Sequence, residues 1–138
     1  MAEDRVTISI AASLNRRIGR VVDRLREREL LAGGDPAPRR TPLIIALLEA
    51  GLQEAQQLRQ QGQIPPAVRR RYPEPGTTVA VPRALQQRLQ IECHARTNEL
   101  PPAQRQTVVV RHLVDTILTA AVERYEAALA AGEGTSDG

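Results

Sequence analysis

The chain has 138 residues, 41% of them apolar, and a formal net charge of +3. That length suits a single domain, and no apolar run approaches the ~20 residues needed to cross a bilayer. The first ten residues lack a basic region followed by an apolar core, so no signal peptide is expected. Phe and Trp are absent, which leaves Leu, Ile, Val and Ala to build a core of packed helices. Cys93 is the only cysteine, so no internal disulfide can form. These features together predict a soluble, cytoplasmic protein. All 19 basic residues are arginine. A GC-rich genome explains that usage, and arginine forks also suit phosphate and guanine.

After a short arm at residues 1–4, Arg5-Val6-Thr7-Ile8-Ser9-Ile10 alternates polar and apolar side chains, the period of a strand. Val6, Ile8 and Ile10 share one face, and Arg5, Thr7 and Ser9 the other. A helix is predicted from about residue 12 to about 31, with Leu14, Ile18, Val21, Val22 and Leu25 as its apolar stripe. The Gly- and Pro-rich run at 32–38 ends it. Thr41 is the expected N-cap of a second helix and Pro42 its first residue. Ile44, Leu47, Leu48, Gly51, Ala55 and Leu58 recur at helical spacing there.

Residues 63–75, with four prolines, form a linker that also carries Arg69-Arg70-Arg71. Alternation returns at Thr77–Val81, where Val79 and Val81 face one way and Thr78 and Ala80 the other. A third helix is predicted from about 83 until Pro101-Pro102. Thr107 is the expected cap of a fourth, with the stripe Val110, Leu113, Val114, Ile117 and Ala121. The tail at 132–138 is small and polar and is expected to be disordered.

The chain therefore repeats a strand-helix-helix plan. The copies align with an offset of 71 through the strand and first helix, pairing Thr7 with Thr78 and Leu14 with Leu85. The offset becomes 66 in the second helix, pairing Thr41 with Thr107 and Leu47 with Leu113. The loop between helices is accordingly expected to be five residues shorter in the second copy. A single short strand cannot satisfy its own backbone, so each copy needs the other. The expected organisation is one intertwined domain over 1–131: copy one at 5–62, the linker at 63–75 and copy two at 76–131. The fold class is mostly α with a two-stranded antiparallel β-ribbon.

With its Arg5–Ile10 strand, the immediate Ala-Ala-Ser-Leu entry to the first helix and the Thr-led second helix, the chain resembles the ribbon-helix-helix family of DNA-binding proteins, of the Arc and MetJ type. The resemblance implies a tandem pseudo-dimer in one polypeptide, since two chains of that family pair their strands into one ribbon. Family members set the outward ribbon side chains on base edges. Here those are Arg5, Thr7 and Ser9 with Thr78 and Ala80. Gly76 stands where a second Arg5 would be, and Ala80 can only touch a thymine methyl. The second half is therefore expected to read less sequence than the first.

The start of each second helix offers unpaired N–H groups and a positive dipole end, a seat for phosphate. Arg39, Arg40 and Thr41 cluster at one start, and Arg105, Gln106 and Thr107 at the other. Arg69, Arg70 and Arg71 either follow the DNA backbone or an RNA strand or form a solvated charge run. Arg20–Asp23 and Arg24–Glu27 read as pairs on an exposed helix face. No nucleophile motif, phosphate loop or metal-ligand spacing occurs. Cys93 falls on a core stripe, and His112 with Asp115 reads as a surface pair. No catalysis, cofactor or metal is expected.

The expected function is sequence-specific binding of double-stranded DNA by a ribbon in the major groove. The role is that of a transcriptional repressor or of an accessory protein at a plasmid transfer origin. Expected partners are DNA, further copies on adjacent sites or a relaxosome protein, with no membrane. The alternative is a protein-interaction module such as an antitoxin, against which the short Gly-rich tail argues.

Overall fold

In a computed structural model, described here at residues 4–32, 39–65, 68, 75–99, 101–104 and 108–135, the two alternating segments are strands. They are β1, Arg5–Ala11, and β2, Gly76–Pro82. They pair antiparallel as a two-stranded sheet. Arg5 lies opposite Pro82, Thr7 opposite Ala80, Ile8 opposite Val79 and Ser9 opposite Thr78. Ile8 and Val79, which are 71 residues apart, thus meet at the middle of the ribbon. One further bond closes each end: Ala12 N–H donates to the Pro75 carbonyl and Arg83 N–H to the Asp4 carbonyl, both at 3.0 Å. These two bonds are also related by the offset of 71.

Each strand passes straight into a helix, α1 at Ala12–Ala32 and α3 at Arg83–Glu99. Helix α2 spans Arg40–Gln60 and α4 spans Val110–Thr135, with a short 3-10 turn at Pro102–Gln104. Gly62 ends α2 at φ 76°, a left-handed conformation open to glycine. Its N–H donates to the Arg59 carbonyl, and Gln63 N–H to that of Leu58 at 2.8 Å.

The apolar ribbon face, Ile8, Ile10, Val79 and Val81, is buried under the helices. Leu14 and Ile18 of α1, Ile44 and Leu48 of α2, Leu85 and Leu89 of α3, and Leu113, Val114 and Leu118 of α4 join it in one cluster. Both halves of the chain therefore contribute to the same core. Helices α2 and α4 cross where Gly51 meets Ile117, a pair related by the offset of 66. A Cβ on Gly51 would run into Ile117 Cγ2, so the missing side chain sets how closely these helices approach.

A buried charged cluster ties α2 to α3. Glu92, 7% exposed, accepts from both Arg59 Nη atoms at 2.6 and 2.7 Å and from Arg96 Nε at 2.6 Å. Arg59 Nε reaches Glu99 at 2.6 Å. Burial pushes the Glu92 carboxyl up, but the hydrogen bonds from Arg59 and then Arg96 outweigh it and hold it below its ordinary range. Arg17 of α1 pairs with Glu126 of α4 at 2.6 Å.

Several boundaries differ from the sequence reading. Helix α2 starts at Arg40 with Arg39 as N-cap, so Thr41 lies inside the first turn and does not cap. Pro42 has no N–H to lose in that turn, so the helix can begin two residues before it. Helix α4 begins at Val110, past Thr107, and it continues to Thr135, beyond the boundary drawn at 131. The segment between helices is longer in the second half, 100–109 against 33–39, contrary to expectation. The shortening falls in the helices: α3 has 17 residues where α1 has 21, because Pro101-Pro102 stops it.

Candidate nucleic-acid interface

The pleat sends alternate side chains to opposite faces, and the register then gathers one set on the face away from the core. Arg5, Thr7, Thr78 and Ala80 are exposed there, as their pattern predicts. Ser9 shares the face but is half-buried, because Arg111 Nη1 donates to its Oγ at 3.2 Å. Hydroxyls of Thr7 and Thr78 sit on opposite strands, one residue to either side of the central Ile8–Val79 pair.

The start of α2 lies beside the Arg5–Pro82 end. Arg39 is extended, with φ −67° and ψ 165°, and makes no side-chain capping bond to the helix start. Arg5, Arg39, Arg40, Thr41, Ile45 and Pro82 line one open depression there, together with the carboxylate-bearing Glu49. The Arg5 end of the ribbon and the start of α2, assigned to separate sites from the sequence, thus border one depression. A guanidinium-lined hollow over the start of a helix suits an anion. At the same end Arg83 Nε donates to Asp4 at 2.6 Å, and that hydrogen bond lowers the pKa of the exposed Asp4 carboxyl.

The start of α4 lies beside the other end. Arg111, its second residue, extends along the ribbon edge to Ser9. Its Nε donates to Asp115 at 3.2 Å, and the other Asp115 oxygen accepts the Ala11 N–H at 3.1 Å. Asp115 is 5% exposed, so it is a buried tie between helix and strand and not the surface partner of His112. A Cβ on Gly76 would meet Ser9 Oγ and would stand 2.8 Å from Arg111 Nη1. Gly76 therefore leaves the space that the arginine crosses. The sequence reading passed over Arg111 and gave Asp115 to His112. The i,i+4 spacing of Arg111 and Asp115 marks a pair but gives no sign that a strand end lies between them.

Arg105, Gln106 and Thr107, and Arg69, Arg70 and Arg71, lie outside the described residues. Cys93 is buried, and burial followed by the nearby Glu92 charge pushes its thiol up to about 11, away from nucleophilic chemistry. Among the described residues no helix is long and apolar enough to cross a membrane. Compared with protein-family models, with curated proteins and with solved structures, the chain matches none.

Proposed function

We propose that the chain is a tandem ribbon-helix-helix pseudo-dimer that binds double-stranded DNA sequence-specifically, with β1 and β2 in the major groove. One observation carries the reading: an antiparallel ribbon whose outer face exposes Arg5, Thr7 and Thr78 while its inner face buries Ile8, Ile10, Val79 and Val81. A two-stranded ribbon fits the major groove, where arginine and hydroxyl side chains can distinguish base edges. The central Ile8–Val79 pair and the matched end bonds support two equivalent halves about a twofold. The arginines at the start of α2 would seat a phosphate and fix register, as backbone contacts do.

In this reading the protein occupies an operator as a repressor or assists at a plasmid transfer origin. Selection of binders from randomised duplexes by the full chain tests it. One enriched motif of two half-sites is expected. Uniform recovery of all duplexes contradicts it, and so does recovery of none.

A further inference from the structure

Two arginines flank the ribbon in different ways at its two ends. Arg5 belongs to the strand and lines one depression with Ile45 of α2. The counterpart of Arg5 by the offset of 71 is Gly76, and the counterpart of Ile45 by the offset of 66 is Arg111. Strand and helix have exchanged the roles of large cation and space-filler between the halves. Arg111 Nη1 ends 3.2 Å from Ser9 Oγ, in the space that a side chain at Gly76 would take. We infer that Arg111 is a specificity-determining residue: it supplies to the second half-site the guanidinium that Arg5 supplies to the first, and reads a guanine there.

This rests on the DNA-binding reading. The geometry fits it in three respects. The Arg111 side chain is 29% exposed, so it is neither fully buried nor loosely solvated. Asp115, anchored on the Ala11 N–H, holds Nε and so aims the guanidinium along the ribbon edge. The Ser9 hydroxyl fixes Nη1 on the face that carries Thr7 and Thr78. An arginine held at two points is pre-organised, and a planar fork can take guanine O6 and N7 together. The second half-site is then read by a helix-borne arginine, which removes the expected weakness of Gly76 and Ala80.

The test uses the full chain and its variants Arg111→Gln, Arg111→Lys, Gly76→Ser and Arg5→Ala in selection from randomised duplexes, each checked by circular dichroism. Wild type is expected to enrich a guanine near the outer end of each half-site. Arg111→Gln and Gly76→Ser lose the preference at one end, Arg5→Ala at the other. Affinity for the enriched site falls about tenfold in each, with little change on random duplex. Arg111→Lys keeps charge and a partner for Asp115 but lacks the fork, so it loses the same guanine. It decides the matter should the glutamine variant fail to fold.

If wild type enriches no motif, the DNA reading itself fails. If wild type enriches a motif that folded Arg111 variants keep unchanged, this inference alone is overturned. An equal loss on every duplex would assign Arg111 to phosphate and overturns it too.

Discussion

At the residue scale, the most consequential single positions are those where a missing or charged side chain sets the packing. Gly51 is one. Gly51→Leu should destabilise the fold by about 1–3 kcal/mol, because the α2–α4 approach has no room for it. Ile117→Ala in the same chain should recover part of that loss, since Ile117 is what the new side chain meets. Urea unfolding of both single variants and the double variant measures the coupling; an additive result would mean that the two residues do not share the crossing.

Glu92 is another. Its folded pKa lies below the ordinary 4.5, so the folded state binds this proton more weakly than the unfolded state. Its contribution is then fully present above about pH 4.5 and is lost as pH falls through the lower folded value. Stability should drop on that acid limb, and Glu92→Gln should flatten the drop while lowering stability at neutral pH. An unchanged acid limb in Glu92→Gln would assign the acid sensitivity to other carboxylates.

At the element scale, the strands and the spans of α1 and α3 were legible because their hydrophobic periods are clean: two in Arg5–Ile10, helical in Leu14, Ile18 and Val22. The outer ribbon face followed from the same alternation. The boundaries of α2 and α4 were less legible. Thr41 looks like a cap, but a proline next to it is tolerated anywhere in the first turn, so local preference does not fix where the helix begins. The Glu92–Arg59–Glu99 cluster and the Arg111–Asp115–Ala11 tie were not legible at all. Each depends on which elements meet, and charges far apart in sequence carry no periodic mark of that.

The start of α2 yields its own expectation. Replacing Arg39 and Arg40 by Ala should weaken binding to specific and random duplexes about equally. It should also flatten the dependence of log affinity on log salt by roughly one unit for each phosphate no longer neutralised. A weakening confined to one sequence would mean that these side chains read bases.

At the scale of the whole molecule, both halves share one core, and each strand's only partner among the described residues is the other. Residues 1–66 alone should be largely unfolded when dilute, or should pair with a second copy. The Gly51–Ile117 contact weighs against a stable copy-with-copy pair, because two glycines at the crossing leave a gap where the native pair is filled. The full chain should unfold in one transition with a midpoint independent of protein concentration. A stable monomeric fold of the isolated half, seen by sedimentation and circular dichroism, would contradict the shared core.

The central claim is that the outer ribbon face reads sequence. It is tested most directly by the ratio of affinities for the enriched duplex and a random one, measured at fixed salt for wild type and for Arg5→Ala/Thr7→Ala/Thr78→Ala. These side chains are exposed and point away from the core, so the triple variant should keep its circular dichroism spectrum. The account predicts that the specificity ratio collapses, since a good base contact supplies ~1–3 kcal/mol of discrimination, while affinity for random duplex changes far less. A folded triple variant whose ratio equals that of wild type would show that the ribbon is not the reading surface.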